Sequence, residues 1–272
     1  MMFRHKDSVD LATRIVLEGR WESFARRHTC LLCWNVGQSP VNRIENNGTC
    51  CLVRTRTRRI LITCAHVWNA FEDFQNTHAG AQLWISLGVD DLSLGPSFPL
   101  ALRNPKVIAK DDSLDLATVT FDGIDSLEAQ RFYYFKPRPE PTARKGDIIH
   151  YIGYAGDAVR EGNPSLTLNY CYSSHTIHDS SRTRFILHSK PGTIHHKDQN
   201  GNPMMAFRAG GESGAPVFKV QTNFELELAG IVSQLCSSGL EGGKSTTYEM
   251  SDGDVLITHA CFIKDDGSIP VP

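Results

Sequence analysis

Three polar residues in this chain could take part in one proton-transfer reaction. Ser213 is the easiest of them to recognise because glycines surround it. It lies in the stretch AGGESGAPVF, residues 209–218, where glycine lets the backbone turn two N–H groups toward the hydroxyl. Two such N–H groups can hold a developing oxyanion. A serine hydroxyl is a weak nucleophile at neutral pH, so the same chemistry needs a neutral imidazole to take its proton. Ser213 therefore predicts a nucleophilic site only if the chain also supplies a base and an orienting acid.

His66 is the candidate base. It follows the apolar run 60–62 directly and precedes a short helical pattern over residues 67–74. A histidine at the end of a strand and the start of a helix is held by rigid structure while its ring faces outward. Other histidines lie in polar segments that predict exposed loops or turns, namely His175, His178, His195 and His196.

Asp115 is the candidate acid. It stands at the start of an alternating strand pattern, between Leu114 and Leu116, which would help to bury its carboxylate. A carboxylate bonded to the second ring nitrogen of the base holds the imidazole in the required tautomer. Asp111 and Asp112 are the fallback candidates, and both lie further out in a polar turn.

The elements that must position these residues are short strands with little helix between them. An amphipathic helix is predicted over residues 8–27, and short strand patterns follow from residue 28 onward. Residues 122–144 lose this period and contain three prolines, at positions 137, 139 and 141, which predicts a linker between two halves. Many short strands without intervening helices favour an all-β fold of antiparallel barrels over a parallel βαβ sheet. The last predicted strand covers residues 255–263.

The local motifs resemble those of the trypsin-like (chymotrypsin-fold) serine proteases. The motifs are T-x-A-H ending at His66, D-L-A from Asp115 and G-x-S-G around Ser213, in the chain order of that family. The run AGIVS at residues 229–233 is similar to the strand that walls the primary specificity pocket. Glu212 stands where digestive members carry Asp, and no Ile-Val-Gly-Gly-like start is present. The resemblance is therefore closer to bacterial and intracellular members than to digestive zymogens.

This resemblance implies two six-stranded antiparallel β-barrels, and together with the helix, strand and linker patterns it predicts a division of the chain. Residues 1–27 would form an N-terminal helical extension, and residues 28–121 a first barrel carrying His66 and Asp115. Residues 122–144 would be the inter-barrel linker, and residues 145–272 a second barrel carrying Ser213.

The resemblance also implies a role for each site residue. Ser213 would be the nucleophile, His66 the general base and then acid, and Asp115 the orienting carboxylate. The backbone N–H groups of Gly211 and Ser213 would form the oxyanion hole, and Ser233 would lie beside Asp115. The specificity pocket would be lined by Phe207, Arg208, Val232, Gln234 and Leu235.

The chain is accordingly interpreted as a serine endopeptidase that cleaves protein or peptide substrates through an acyl-enzyme, without a metal or organic cofactor. Phe207 at the base of the pocket disfavours cleavage after Lys or Arg and favours a small or apolar residue before the cut. Regulation by a partner protein or a signal stays open. So does a second interpretation, an inactive or latent chymotrypsin-fold module that serves as a protein-binding scaffold.

A third interpretation is an α/β-hydrolase esterase, with Asp254 and His259 as partners of Ser213. That fold needs a helix after its nucleophile and alternating strands and helices. The run Pro216-Val217-Phe218 favours a strand instead, and the alternation is missing. The sequence therefore disfavours the esterase.

Composition limits the partners and the compartment. The chain has 272 residues, 40% of them hydrophobic and 21% charged, with a net charge of −2 and a pI near 6.6. This near-neutral balance argues against broad nucleic-acid or membrane-surface binding. No signal peptide or membrane-spanning run is found, which predicts a cytoplasmic protein.

The eight cysteines lie mostly in apolar, strand-like runs, which predicts buried reduced thiols rather than a disulfide framework. Cys30 and Cys33 have zinc-like spacing. A second pair at matching spacing is missing, because Cys50 and Cys51 are adjacent, so zinc is disfavoured.

Overall fold

The structure is a computed structural model that describes residues 11–37, 46–87, 99–154, 170–188, 194–197, 212–235 and 254–270. These residues form short, mainly antiparallel strands with two α-helices. The helices are α1 (Leu11–His28) and α2 (Ala65–Thr77). The strands of the N-terminal half are β1 (Thr29–Val36), β2 (Asn46–Arg54), β3 (Arg59–Thr63), β4 (Ala81–Leu87), β5 (Leu100–Ala101), β6 (Arg103–Asp111), β7 (Leu116–Asp122) and β8 (Tyr133–Tyr134). Those of the C-terminal half are β9 (Ile148–Tyr154), β10 (Tyr170–Ser180), β11 (Arg184–His188), β12 (Ile194–Lys197), β13 (Pro216–Val220), β14 (Leu226–Leu235) and β15 (Asp254–His259).

The first sheet contains β1 to β8 and is ordered β5-β4-β1-β2-β3-β7-β6, with β8 pairing in parallel beside β2. Within the described residues its two end strands do not meet, so it forms a half-barrel. Its inner face is a continuous apolar layer because side chains alternate along each strand. Fully buried members of that layer include Leu32, Leu52, Leu61 and Ile85.

The second barrel contains β9 to β15 and is ordered β11-β15-β14-β13-β9-β10-β12. Strand β11 pairs with both β15 and β10, so six of these strands close on themselves. The interior holds Tyr151, Phe185, Val217 and Ile257, all fully buried. A half-barrel next to a closed six-stranded barrel confirms the predicted all-β, chymotrypsin-like class.

The predicted strand over residues 255–263 ends earlier than expected. Strand β15 stops at His259, and Ala260–Phe262 form a 3₁₀ turn. Two further 3₁₀ turns, Ile124–Ser126 and Ala129–Arg131, and strand β8 fall in the segment predicted as a linker. The predicted domain boundaries stay a prediction, while the segment itself has regular structure that its sequence did not indicate.

Helix α1 packs against both sheets through its C-terminal half. Trp21 donates its indole N–H to the carbonyl oxygen of Phe224 at 2.9 Å. The Phe24 ring contacts Tyr133 of the first sheet and Phe218 of the second barrel, with ring centroids 6.0 and 5.3 Å away. Two apolar residues nearer the helix start, Ile15 and Val16, are each 61% exposed.

The prediction of exposed loops around four histidines was wrong in part. His175 and His178 lie in β10, where His175 is buried and His178 is exposed. Alternation along the strand explains why one points inward and the other outward. His195 and His196 lie in β12, which pairs with β10. Because much of β10 is Ser, Thr and His, its sequence lacks the alternation of apolar and polar residues that indicates a strand.

The prediction of buried reduced thiols is confirmed for six cysteines. They are Cys30, Cys33, Cys50, Cys51, Cys64 and Cys261, each free and buried. Cys30 and Cys33 lie three residues apart in β1, so their side chains leave opposite faces of the strand. Burial raises the pKa of the Cys33 thiol to about 12. Among the described helices, none is both long enough and apolar enough to cross a membrane.

Candidate active site

His66 is held at the junction of β3 and α2. Cys64 precedes the helix in an extended conformation, and its carbonyl oxygen accepts a 3.1 Å hydrogen bond from the N–H of Trp68. Buried Trp68 and Phe71 anchor the helix to the core. The His66 backbone is therefore fixed, while its side chain stays 53% exposed.

Asp115 occupies the turn between β6 and β7. The turn is closed by Asp111, whose carboxylate accepts hydrogen bonds from the N–H groups of Ser113 and Leu114, both at 2.9 Å. Leu114 and Leu116 are buried on either side of Asp115, as their positions predicted. The φ angle of Asp115 is +55°, in the left-handed region that non-glycine residues rarely adopt.

His66 and Asp115 form a closely bonded pair. Nδ1 of His66 lies 2.9 Å from Oδ2 and 3.0 Å from Oδ1 of Asp115, and the His66 backbone N–H donates to Oδ1 at 3.0 Å. The hydroxyl of Ser233 donates to Oδ2 at 2.7 Å. An ionised carboxylate only accepts, so Nδ1 carries the proton and Nε2 is left as the acceptor.

The environment of Asp115 favours its ionised form. Burial by itself would raise the pKa of this carboxyl group, but the hydrogen bonds and charge of His66, with the Ser233 bond, outweigh it and lower the pKa. The His66 N–H also belongs to the first turn of α2, where backbone donors lack helical partners. The Asp115 carboxylate thus accepts hydrogen bonds from both the imidazole ring and the N-terminal end of α2.

Ser213 lies in a tight turn just before β13. Its carbonyl oxygen accepts a 2.8 Å hydrogen bond from the N–H of Thr49 in β2, so the turn is bonded to the first sheet. Gly214 follows with φ +92°, and a Cβ at this position would lie 1.9 Å from the Thr49 carbonyl oxygen. The Gly214 N–H donates to the carbonyl of Val232 in β14 at 2.8 Å. Only glycine fits this approach of the turn to two neighbouring strands.

Ser233 connects the serine turn to the acid. While its hydroxyl bonds Asp115, its carbonyl oxygen is 3.5 Å from Oγ of Ser213. Among the described residues, Ser213 Oγ makes no hydrogen bond to His66. The structure therefore holds a formed imidazole–carboxylate pair beside a hydroxyl that points toward Ser233.

Glu212 is buried against β9, at 3% exposure. A Cβ added to Gly153 would lie 2.8 Å from both Cβ and Cγ of Glu212, so this side chain needs the glycine. Sequence reasoning missed Gly153 and Thr49 as supports of the serine turn. An isolated glycine inside a strand pattern was the available signal, because it marks a close approach of another part of the chain.

Cys64, His66 and Asp115 are the group among the described residues whose donor atoms could surround a metal ion, lying within 4.8 Å of one another. The Cys64 thiol instead donates to the Val232 carbonyl at 2.9 Å. Burial raises the pKa of this thiol well above its usual value, and the charge of Asp115 raises it further. A metal ligand must be the thiolate, so the arrangement suits a proton-accepting His66 ring oriented by Asp115 better than it suits metal binding.

Only some of the residues predicted to form the oxyanion hole and the specificity pocket are described by the structure. Gly211, Phe207 and Arg208 lie outside the described residues. Val232 is fully buried in β14. Gln234 and Leu235 end the same strand, and their side chains are outside the description.

The fallback residues have other contacts. Asp111 closes its own turn, and Asp112 accepts a 3.1 Å hydrogen bond from the side-chain amide of Asn69.

His259, the esterase candidate, is buried and its Nε2 faces the carbonyl oxygen of Ser181 at 3.1 Å. Ser213 is followed by β13 rather than by a helix. These contacts disfavour the esterase.

The sequence model of the trypsin-like peptidase domain matches residues 48–224, which is more than half of the chain. The chain belongs to this family. The matched range contains His66, Asp115 and Ser213.

Among solved structures, this trypsin-like peptidase chain is similar to one described as the crystal structure of Deg5. The TM-score is 0.47 and the sequence identity 12%, over 83% of this chain and 87% of that chain. A comparison with curated protein sequences finds no match.

Proposed function

We propose that the chain is a serine endopeptidase with Ser213 as nucleophile, His66 as general base and Asp115 as orienting acid. The observation that carries the proposal is the bonding of His66 Nδ1 to Asp115 at 2.9 Å. It is supported by Ser233, which bonds Asp115 through its hydroxyl and approaches Ser213 through its carbonyl. Family membership supports the reaction class.

The first half of the reaction forms an acyl-enzyme. Nε2 of His66 takes the hydroxyl proton of Ser213 as Oγ bonds to the substrate carbonyl carbon, and the carbonyl electron pair moves onto its oxygen. The N–H groups of Ser213 and Gly211 stabilise that oxyanion. The intermediate then collapses: the scissile C–N bond breaks, and the imidazolium gives its proton to the leaving amine. Ionised Asp115 stabilises the imidazolium throughout without taking the proton.

The second half releases the acyl group. A water molecule gives a proton to Nε2 of His66 and attacks the acyl carbon. The second tetrahedral intermediate then collapses, the ester bond to Ser213 breaks, and Oγ recovers the proton. Every proton moves between substrate, water and the two side chains, so the proposed mechanism needs no metal or organic cofactor.

A latent form of the same site is the second candidate function, and one observation favours it. Oγ of Ser213 is 3.5 Å from the Ser233 carbonyl and, within the described residues, is not bonded to His66. Rotation of the serine side chain toward Nε2 would have to precede catalysis. A partner or signal that reorders the serine turn would control this step. Without it, the chain would act as a binding scaffold.

A peptide-library cleavage profile tests the proposed function. We expect wild-type protein to cleave after small or apolar residues, with unchanged activity in a metal chelator, and Ser213→Ala protein to cleave nothing. Cleavage after Lys or Arg would contradict the role given to Phe207. No cleavage by a folded wild-type protein under any condition would favour the scaffold.

A further inference from the structure

The turn that carries Asp115 is bonded to the second barrel at two successive carbonyl groups. The guanidinium of Arg184 donates to the carbonyl oxygen of Ser113 at 2.6 Å. The hydroxyl of Thr258 donates to the carbonyl oxygen of Leu114, also at 2.6 Å, and this bond is buried. Both donors belong to the opposite sheet, so Asp115 depends on contacts from outside its own strands.

Arg184 and Thr258 form a rigid pair. They are direct cross-strand partners in the ladder between β11 and β15. The backbone of Arg184 is fixed by Ser181, whose N–H and hydroxyl both donate to its carbonyl oxygen, at 2.8 and 2.9 Å. Thr258 has no exposed surface. Two adjacent donors on a closed barrel can therefore hold two adjacent carbonyls at a fixed distance.

The Asp115 turn has a specific need for such support. Its φ of +55° belongs to a region that non-glycine residues occupy only when their surroundings fix them there. Asp115 directly follows the two clamped carbonyls. If the backbone at Asp115 relaxed, the direction of its Cα–Cβ bond would change, and the carboxylate would move away from His66 Nδ1.

We propose that Arg184 and Thr258 are positioning residues that clamp the Asp115 turn and so set the geometry of the His66–Asp115 pair. The proposal rests on the proposed function, because it concerns the orienting acid of the same site. Its consequence is that docking of the second barrel against the first sheet is what completes the pair. The sequence motifs around His66, Asp115 and Ser213 include neither residue.

The decisive variant is Thr258→Val, which keeps the side-chain shape and removes the hydroxyl donor. Its matched control is Thr118→Val. Thr118 is equally buried and also donates to a backbone carbonyl, that of Gly267, at 2.6 Å. Each variant loses a short buried hydrogen bond, and Thr118→Val also loses a 3.4 Å contact with the carbonyl oxygen of Ala109. Only the Thr258 bond ends on the Asp115 turn.

The first readout does not need turnover and is made in a Ser213→Ala background. The Nδ1–H proton of His66 is followed by proton NMR. We expect it to exchange with solvent roughly tenfold faster in Thr258→Val, the factor expected for loss of about one hydrogen bond. Thr118→Val should leave the exchange rate unchanged, and Thr258→Ser should restore it. Equal exchange rates in the two Val variants would overturn the proposal.

The second readout is turnover of the otherwise wild-type enzyme. We expect Thr258→Val to lower kcat by roughly 10- to 100-fold with KM nearly unchanged, because the base is misplaced rather than the substrate. A wild-type protein without any turnover would count against the proposed function. The exchange measurement would still test the clamp in that case.

Arg184→Met carries the same test if Thr258→Val fails to fold. Its control is Arg59→Met, since Arg59 also donates to backbone carbonyls, those of Asp125 and Leu127, at 2.8 and 2.9 Å. Faster Nδ1–H exchange in Arg184→Met alone supports the clamp. Exchange that is the same in both Arg variants contradicts it.

Discussion

At the scale of single residues, the candidate site is organised by the four hydrogen bonds that converge on Asp115. They are made by three donors: His66 Nδ1–H, which lies within 3.0 Å of both carboxylate oxygens, the His66 backbone N–H and the Ser233 hydroxyl. The family resemblance grouped His66, Asp115 and Ser233, and in the structure Asp115 is bonded to both of the other side chains. Their catalytic roles stay a prediction. The sequence motifs did not predict the left-handed φ of Asp115 or the bonds from β11 and β15 to the two carbonyl groups before it.

Asp115→Asn tests the orienting role. An amide at this position can present its N–H₂ group to the ring and select the wrong tautomer, so we expect kcat to fall by about 10⁴ with the fold intact. Steady-state kinetics and circular dichroism measure the two effects. Asp112→Asn is the control and should stay near wild type, because Asp112 contacts Asn69 instead. Near-wild-type activity in Asp115→Asn would move the acid role to another carboxylate.

Gly214→Ala tests the fit of the serine turn. A Cβ at Gly214 would meet the Thr49 carbonyl oxygen at 1.9 Å in addition to the strain of φ +92°. Gly80→Ala is the matched control, with φ +83° and nothing within 4 Å of the added Cβ. We expect Gly80→Ala to lower the free energy of unfolding by about 1–2 kcal/mol from strain alone. Gly214→Ala should lower it further and abolish activity, as measured by urea unfolding and cleavage assays; equal losses would contradict the predicted clash.

At the scale of elements, helix α1 joins the two sheets through buried histidines. The His150 ring contacts the Trp21 ring at 4.7 Å, and its Nδ1 is 2.7 Å from the Tyr172 hydroxyl. Burial lowers the pKa of His150 to about 3, with a smaller contribution from His175. Burial likewise lowers the pKa of His28, the last residue of the helix, to about 4. With these pKa values, we expect both rings to be neutral in the folded protein at pH 7.

These lowered pKa values predict a loss of stability in acid. The unfolded chain takes up protons on histidine below pH ~6.5, whereas folded His150 and His28 resist protonation down to about pH 3 and 4. Stability is therefore fully present above pH ~6.5 and falls below it, by up to about 1.4 kcal/mol per pH unit for each group. Urea unfolding at pH 7 and pH 5 measures the change. His150→Phe should reduce it, and equal stability at both pH values in the wild type would contradict it.

Sequence periodicity predicted most strands because their apolar residues alternate or cluster. Periodicity gave a wrong prediction in segments where buried side chains are polar or exposed side chains are apolar. Strand β10 is rich in Ser, Thr and His, yet its inward positions, including Ser173 and His175, are buried. The exposure of Ile15 and Val16 on α1 shows the converse. In both cases the packing partner, rather than the residue type, decides the outcome.

At the scale of the whole molecule, the candidate site exists only where the two sheets meet. The His66–Asp115 pair comes from the first sheet, while Ser213, Ser233 and the Arg184–Thr258 clamp come from the second barrel. The bond from Thr49 N–H to the Ser213 carbonyl crosses the same boundary. Such contacts join residues that are distant in sequence, so single-sequence patterns carry no direct signal for them.

Burial of the thiols gives a prediction for the folded molecule as a whole. The six described cysteines are buried, and burial raises the pKa of several of them, so we expect them to react slowly with a thiol reagent in the native protein. After denaturation without a reductant, at least six of the eight cysteines in the chain should react. Titration with Ellman's reagent before and after denaturation measures both states. Fewer than six reactive thiols after denaturation would reveal disulfides and contradict the free state.

Labelling with a fluorophosphonate probe tests the central claim most directly, because the probe reacts covalently with an activated serine and requires no knowledge of the substrate. We predict one adduct, located on Ser213 by peptide mass mapping, which is lost in Ser213→Ala and strongly reduced in His66→Ala. The folded state of each variant is checked by circular dichroism. Labelling of the wild-type protein at a different serine, or labelling that persists in folded Ser213→Ala, would contradict the assignment of Ser213 as the nucleophile.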